Sequence, residues 1–444
     1  MRAALALLVS VAGCSPFGGG AFRCETDADC AGGPSAGRCE TTVGYCSFED
    51  SACQSGRRYG TASGAQSGVC VGEEVPIDAQ PTTDADLTID MAPGDARLCF
   101  GTPHEVCLMT LPSGPRTLPT TIDTDVMCDQ VESPAGGVPL CVVSGAQITI
   151  NDTRAQGSRP LVIVATETIT ITGNLDVGSK RGTTPGAGAN SAACQMNAIE
   201  GEDDGGGGGG GGGGGFGANG GNAGLGDTNR SNGGGAGTEA TGGTGGAMSI
   251  SAFIRGGCRG GDGGSTNGDN NGADQGDNHG PGANGGGAVY LIAGTSITVQ
   301  TGGAIYASGA GGTGGQEFSG AGGGGGSGGL VGLDAPAIVV MGHIAANGGG
   351  GGGGAGNTDA GNGGDGAQVG TPAAWNQRGA GGTGGEQNPA ANTRGGLGGA
   401  TGNLAGEVSP ASPGGSGGGG GGVGVIWVRG TLTGTQLSPP MTAH

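Results

Sequence analysis

The chain has 444 residues, of which 117 are glycine and only 3% are aromatic, and its formal net charge is −20. So few bulky side chains exclude a large conventional core, and cross-links and backbone hydrogen bonds must carry more of the stability. No basic cluster is longer than Arg57-Arg58 or Lys180-Arg181, which excludes the concentrated positive surface that nucleic-acid binding needs.

The first residues, MRAALALLVSVAGCSP, predict a lipoprotein signal peptide over residues 1–13. Arg2 supplies the positive end, and residues 3–12 form an apolar stretch too short to span a bilayer as a helix. Val-Ala-Gly-Cys at 11–14 resembles a bacterial lipobox, in which the new terminal cysteine receives a diacylglycerol; ordinary cleavage without lipid is the alternative. We therefore expect an exported protein anchored to a membrane through Cys14, with 14–23 as a tether. Ser15 after the cysteine favours the outer membrane.

Thirteen cysteines are an odd number, and a lipid on Cys14 leaves twelve. In an exported protein this parity predicts disulfide bonds. The pairings stay open within the first two groups, whereas the last two cysteines are predicted to pair and to close an insertion that contains Gly205–Gly215. Zinc is disfavoured at CETDADC because five residues separate its two cysteines, more than a metal site usually has, and no histidine lies among the first hundred residues. The groups are Cys24, Cys30, Cys39, Cys46, Cys53 and Cys70; Cys99, Cys107, Cys128 and Cys141; and Cys194 and Cys258.

Composition divides the rest of the chain into five segments. Residues 24–71 form a six-cysteine disulfide module, and the acidic residues 72–97, rich in Pro, Thr and Asp, predict an extended linker. Residues 98–142 carry four cysteines and lead into a glycine-rich β-repeat domain at 143–434, which a tail at 435–444 follows.

Short β-branched runs recur between the glycine blocks and alternate with period two. In one of them Ile169 and Ile171 face one way, and Thr168, Thr170 and Thr172 the other; Ile297/Val299 and Ile338/Val340 repeat the pattern. Each run is followed by a glycine and a second apolar pair, a rhythm typical of β-solenoid coils or stacked hairpins. We predict an all-β fold: a glycine-rich, β-solenoid-like stack preceded by small disulfide-rich modules.

The block GGxGG occurs seven times, at 242–246, 260–264, 311–315, 325–329, 381–385, 395–399 and 414–418. Free loops are one interpretation, since glycine loses the most conformational entropy on ordering. The other is polyglycine II, an extended helix of three residues per turn that bonds laterally where glycine lines the contacts. The sequence leaves both open.

The sequence predicts no enzyme and no cofactor. The histidines lie far apart, no Walker lysine follows the glycines, and the strand faces are mainly Thr, Ser and Ala. Two oxygen-rich stretches, around Asp262–Asn278 and Glu200–Asp204, lack a calcium-loop order and favour solvated loops. An aromatic platform for carbohydrate could use only Tyr290, Tyr306 and Trp375. A Thr-rich strand is similar to ice-binding surfaces, but one strand is too narrow a plane.

Three stretches, CSFEDSACQSGRRYG (46–60), LCFGTPHEVCL (98–108) and GSRPLVIVATETITITGNLDVGSKRG (157–182) with GAGAN (186–190), resemble uncharacterised Cys-rich and Gly-rich exported lipoproteins of myxobacteria. The resemblance covers about half of the chain and brings no known activity. The glycine-rich half also resembles, at the level of fold, polyglycine-containing recognition modules in receptor ectodomains and phage tail tips.

These features together predict a surface-anchored lipoprotein with a structural or adhesive role in the cell envelope or extracellular matrix. Its expected partners are the membrane, through the lipid on Cys14, and matrix polysaccharide or envelope proteins, but not nucleic acid. An extracellular carbohydrate-binding module is the alternative, and a β-helix enzyme acting on polysaccharide is the third.

Overall fold

The computed structural model divides the chain into two compact units, Met1–Asp90 and Met91–His444. The predicted signal peptide, the tether with Cys14, and residues 73–97 of the predicted linker lie outside the described residues. The structure describes residues 24, 26–30, 37–41, 43–60, 63, 67–72, 98–134, 137–194, 198–204, 207–226, 240–250, 253–266, 278–316, 319–356, 362–363, 365–367, 375–385, 394–400 and 414–443.

The first unit is a small antiparallel sheet held together by cysteines. A short 3-10 helix (Asp27–Cys30) precedes β1 (Arg38–Glu40), β2 (Tyr45–Glu49) and β3 (Arg57–Tyr59), which pair in that order. Three disulfides replace most of the apolar core that so short a module cannot build. They join Cys24 to Cys39, Cys30 to Cys46, and Cys53 to Cys70.

The second unit is built on one large sheet, and its described residues contain no α-helix. The strands of the second unit, in chain order, are β4 (Leu98–Phe100), β5 (Val106–Leu108), β6 (Pro115–Thr117), β7 (Thr121–Asp123), β8 (Gln130–Glu132), β9 (Leu140–Gln156), β10 (Leu161–Asp176), β11 (Ala288–Ala293), β12 (Ser296–Val299), β13 (Ala304–Tyr306), β14 (Leu330–Val340), β15 (His343–Ala345), β16 (Val425–Thr433), β17 (Leu437–Ser438) and β18 (Thr442–Ala443). Strands β4 and β5 form a separate hairpin that precedes the large sheet.

The long strands of the sheet stack in parallel as five tiers that follow chain order. Tier 1 is β9, tier 2 is β10, tier 3 is β11 to β13, tier 4 is β14 and β15, and tier 5 is β16 and β17. Each tier has a first, a middle and a third segment, which in β10 are 161–165, 168–171 and 174–176, with register shifts between them. Because β10 and β14 each pair with both β11 and β12, these four strands form a closed circuit of parallel pairings.

The main core lies where equivalent side chains of successive tiers point the same way. Ile169, Ile297 and Ile338 occupy one register position and are 0% exposed. Side chains alternate along a strand, so the residues on either side of these isoleucines point away from the main core. In the first segments this outward side is also buried: there Val162 and Tyr290 pack with residues such as Phe216. Apolar residues thus line both faces of the first segments and one face of the others, except in the third segment of tier 1, where the buried Thr153 takes the inward position.

The glycine-rich chain between the tiers is hydrogen-bonded with a period of three residues. Along 207–216, every third amide donates to the same neighbouring segment: 208, 211 and 214 to 319–325, 209 and 212 to 199–202, and 210 and 213 to 221–224. Its carbonyl groups accept from three others: 243–246, 261–264 and 416–422. Segment 207–216 therefore has six neighbours, and segment 320–329 is bonded in the same periodic way.

The prediction of an all-β fold with disulfides is confirmed, and the structure differs from two expected boundaries. A division at 142/143 falls inside β9, so the four-cysteine segment is continuous with the glycine-rich region. Residues 435–444, expected to be a tail, contain β17 and β18, which pair with β15 and β16. In both places, backbone pairing joins segments that composition alone separates.

Candidate functional site

The three aromatic residues expected to form a binding platform lie in two places. Tyr306, in β13, belongs to a small apolar cluster against which Trp375 packs. Tyr290, in β11, belongs to a different cluster that contains Trp427. The structure therefore brings Tyr306 and Trp375 together and keeps Tyr290 apart from them.

The third segments of tiers 2 to 4 position the first of these sites, which we call the Tyr306 patch (Asn174, Asp176, Tyr306, His343 and Trp375). In the parallel register, Asp176 of β10 pairs with Tyr306 of β13. Ala304 of β13 pairs with Asn174 on one side and with His343 on the other. The alternate residues of these segments face the main core. Strand alternation therefore directs Asn174, Asp176, Tyr306 and His343 away from that core.

A ring contact and two hydrogen bonds hold Trp375 against the strands. The indole of Trp375 stacks on the His343 ring with 5.5 Å between centroids and 22° between planes. The carbonyl of Trp375 accepts from Asn347 Nδ2 at 2.7 Å, and Asn347 Oδ1 accepts from Ser438 Oγ at 2.6 Å. Both Asn347 and Ser438 are fully buried. The indole is thereby held over the strand face.

A polar edge borders the aromatic part of the patch. Asp176 Oδ2 lies 3.0 Å from Arg154 Nη1 and 2.7 Å from Lys180 Nζ. Asn174 Nδ2 donates to Asp152 Oδ1 at 3.0 Å. Arg154 Nη2 and Asn174 Oδ1 each have no hydrogen-bond partner within the described chain. Both atoms are buried, so additional hydrogen bonds at this edge come from its partly exposed charged side chains, of which Lys180 is the most exposed.

Burial sets the protonation states of the Tyr306 and His343 side chains. Desolvation, with a smaller contribution from the nearby Asp176 carboxylate, raises the pKa of Tyr306 to about 12. Desolvation lowers the pKa of His343 below its ordinary value. Tyr306 Oη and His343 Nε2 are 2.6 Å apart, so at neutral pH a protonated tyrosine donates to a neutral imidazole.

The chemistry of the Tyr306 patch is that of a small polar-aromatic contact surface. Tyr306 is 4% exposed and His343 8%, whereas Trp375 is half-buried. The indole of Trp375 can stack on an apolar ring face of a ligand. The Asp176 carboxylate and the Arg154 guanidinium border the patch beside the Asn174 amide and can form hydrogen bonds with hydroxyl groups of that ligand. The patch thus contains two of the three platform residues and adds His343.

The Tyr290 cluster fastens the 98–108 hairpin to the first segments of the tiers. His104 stacks on Trp427 with 5.0 Å between ring centroids, and the amide of Thr102 donates to Asp334 Oδ2 at 3.0 Å. Asp334 also lies 3.1 Å from Arg429 and accepts from Tyr290 Oη at 3.4 Å. Desolvation first, and then Asp334, raises the pKa of Tyr290. Tyr290 is 2% exposed and is not part of an exposed platform.

The cysteines of the second unit pair within the groups that parity defines. Cys99 joins Cys107, Cys128 joins Cys141, and Cys194 joins Cys258, the one pair that the sequence singles out. The last bond lies at the base of the insertion that contains segment 207–216. Cys14 lies outside the described residues.

Arg255, which the sequence did not single out, is a buried cation beside the Cys194–Cys258 bond. It is 2% exposed, its Nη2 donates to Ser249 Oγ at 2.6 Å, and its guanidinium lies 4.5 Å from the Phe216 ring centroid. Burial lowers the pKa of Arg255 to about 10. Its stacking and hydrogen bonds give it a packing role in the insertion.

Acidic side chains of the oxygen-rich stretches are hydrogen-bonded to other parts of the glycine-rich chain where the structure describes them. Asp262 Oδ1 lies 2.5 Å from Arg259 and accepts from the amide of Gly282 at 2.7 Å. Asp203 accepts from the amide of Ser265, and Glu202 accepts from the amide of Thr241, which lowers the pKa of Glu202. Residues 267–277 lie outside the described part of the chain.

His343 and His104 were not candidates from sequence, because each lies far along the chain from its partners. Only the register of the tiers brings His343 beside Tyr306, and only the return of the hairpin brings His104 onto Trp427. The one available signal was position: His343 directly precedes the second apolar pair of its repeat, Ile344/Ala346, and pairs with Ala304 of the preceding tier.

No protein family, curated protein or solved structure matched the chain. Within the residues that the structure describes, no helix is long and apolar enough to cross a membrane.

Proposed function

We propose that the chain is an exported lipoprotein, anchored through Cys14, with a structural or adhesive role in the cell envelope or extracellular matrix. The proposal includes no catalysis and no cofactor. The anchor and the outer-membrane location rest on the first residues of the sequence. The architecture of the second unit supports the structural role.

We further propose that the five tiers are rungs of a short β-solenoid and that the glycine segments between them are polyglycine II helices. Parallel, in-register pairing of three segments per tier supports the first part. Six neighbours around segment 207–216, each bonded at every third residue, support the second, because three residues per turn is the repeat of this extended helix.

The period-three hydrogen bonding of glycine is the observation that carries the structural role. Through these hydrogen bonds the low-complexity segments form one ordered block, in which backbone groups rather than large side chains make the contacts. Such a block holds its shape without a large apolar core. It suits a part that is displayed outside the cell, where disulfides persist.

The anchor and the role are tested with the full chain in cells that produce it. We expect a labelled fatty acid to be incorporated into the wild type but not into Cys14→Ser, and Cys14→Ser to be released into the medium. Loss of the anchor should weaken cell-to-matrix attachment, with Ser15→Ala as the matched control that keeps it. Retention of label by Cys14→Ser, or unchanged attachment after its release, would contradict this function.

The Tyr306 patch favours a second candidate, carbohydrate binding. A half-exposed indole bordered by Asp176, Arg154 and Asn174 offers ring stacking together with hydrogen bonds. Trp375→Ala should abolish retention of the full chain on matrix polysaccharide, whereas Gln377→Ala, at an exposed position nearby, should not. No retention of the wild type would remove this candidate and leave the structural one standing.

A further inference from the structure

The middle segments of the tiers present an outward face that is wider than any one strand. Two ranks of side chains cross it in register, and β6 adds a sixth strand beside tier 1. We call these twelve positions the hydroxyl face. The first rank is Pro115, Gln147, Thr168, Ser296, Ala337 and Thr431, and the second is Thr117, Thr149, Thr170, Thr298, Val339 and Thr433.

The hydroxyl face is accessible and uncharged. All twelve side chains are exposed or half-buried, while the alternate residues Ile148, Ile169, Ile297 and Ile338 are buried in the main core. Seven of the twelve positions are threonine, and none carries a charge or an aromatic ring. The exposed Glu167, at the corner just before Thr168, borders the face and accepts a hydrogen bond from Gln147 Nε2 at 2.6 Å.

The positions of these side chains are fixed by the backbone. Pairing is continuous over 168–171 and 296–299, and the register shifts lie at the corners on either side. Parallel strands lie about 4.8 Å apart, and alternate residues along a strand lie about 6.6 Å apart. Threonine is β-branched and stiff at χ1, so the methyl and hydroxyl groups form a nearly rigid two-dimensional array.

The hydroxyl groups of this face are available to a ligand. No hydrogen bond joins the side chains of Thr149, Thr168, Thr170, Thr298 or Thr433 to another part of the described chain. Thr172, one step beyond the face, differs because it donates to Asn151 Oδ1 at 2.8 Å. The array thus combines unused hydroxyls with methyl groups at a regular spacing.

A ligand that uses the whole array must itself be periodic in two dimensions. The absence of charge from the twelve positions disfavours ionic lattices and charged polymers, and the absence of aromatic rings disfavours stacking on sugar rings. Crystalline water fits what remains, because its oxygens both donate and accept, and its lattice repeats are close to these spacings. A fixed array of hydroxyls and methyls can hold first-layer water in an ice-like order without further loss of side-chain entropy.

β-propensity alone accounts for threonine on exposed strands. It does not account for the exclusion of charged residues from all twelve positions, since solvated strand faces commonly carry them. A single strand would also be too narrow for a lattice contact, whereas the pairings make this face six strands wide. We propose that the hydroxyl face binds the surface of ice. This inference is independent of the proposed anchor and of the Tyr306 patch.

Thermal hysteresis and partition of the purified full chain into a growing ice front test the proposal. The wild type should show both, and Thr170→Tyr and Thr298→Tyr, at the centre of the second rank, should each remove more than half of the hysteresis. Thr110→Tyr, at an exposed threonine outside the face, should leave it unchanged. Val339→Thr completes the second rank and should raise it.

Unchanged circular dichroism and protease resistance show that each variant has folded, so a loss of activity reports on the face. Exclusion of the wild type from ice would overturn the proposal, as would equal hysteresis in the wild type and Thr170→Tyr. Binding to crystalline cellulose that Thr170→Tyr abolishes, without any hysteresis of the wild type, would assign the face to polysaccharide instead and would equally overturn it.

Discussion

Individual glycines in the period-three segments are required because other backbone atoms occupy the space of a side chain. A Cβ on Gly213 would lie 2.0 Å from the carbonyl oxygen of Gly420, and one on Gly325 would lie 2.1 Å from that of Gly349. Neither oxygen can move without breaking its own segment's hydrogen bonds. Glycine is therefore a packing residue here rather than a source of flexibility.

Gly213→Ala should lower the free energy of unfolding by about 3 kcal/mol, because the clash is with backbone rather than a mobile side chain. Alanine also restricts the unfolded chain, but that gain is only about 0.4–1 kcal/mol, so the clash decides the sign. Gly114→Ala, which meets nothing within 4 Å, is the control and should be neutral or slightly stabilising. Urea unfolding of both variants measures the difference; equal stabilities would contradict close packing at Gly213.

The buried His343 should make stability depend on pH. Its pKa is lowered in the folded chain by desolvation, so the unfolded chain binds a proton first as the pH falls. The neutral His343 makes its full contribution to the free energy of unfolding above the unfolded-state pKa of about 6.5. That contribution is lost as the pH falls from there through the pKa of His343 in the folded chain. Unfolding free energies at pH 7.5 and 5 should differ less in His343→Gln than in the wild type. If the wild type and His343→Gln showed the same pH dependence, the imidazole of His343 would be accessible to solvent and the burial described here would be contradicted.

At the scale of elements, the alternation of the β-branched runs predicts the strands and their inward faces. Ile169, Ile297 and Ile338 lie in the core as their period-two spacing indicates. The neighbours of each glycine segment could not be predicted, because identical glycines carry no side chains to select a partner. The position of His343 and the width of the hydroxyl face also escaped prediction, since both depend on register between segments distant in sequence.

The Cys194–Cys258 bond should stabilise the second unit more than the short Cys99–Cys107 bond does. Their sequence separations are 64 and 8. In the chain-entropy treatment, the long loop contributes about 4 kcal/mol and the short one about 2.5 kcal/mol. Double alanine variants at each pair, compared by urea unfolding, measure both losses. A larger loss at the short loop would contradict the role of the long bond in holding the insertion.

At the scale of the whole molecule, the second unit combines two ways of ordering a chain with few large side chains. The tiers use β-branched residues stacked in register, and the segments between them use period-three backbone hydrogen bonds. Each supports the other, because every tier after the second begins where a glycine segment ends. The sequence alone left ordered packing and free loops as equal alternatives for these segments.

Amide hydrogen exchange of the full chain, followed by mass spectrometry, tests the central claim most directly. If the glycine segments are ordered, peptides covering 207–216 and 319–329 should be protected to a degree comparable with the β10 strand, because their amides are bonded to neighbouring segments. Exchange of these peptides at the rate of unstructured amides, with β10 still protected, would contradict it.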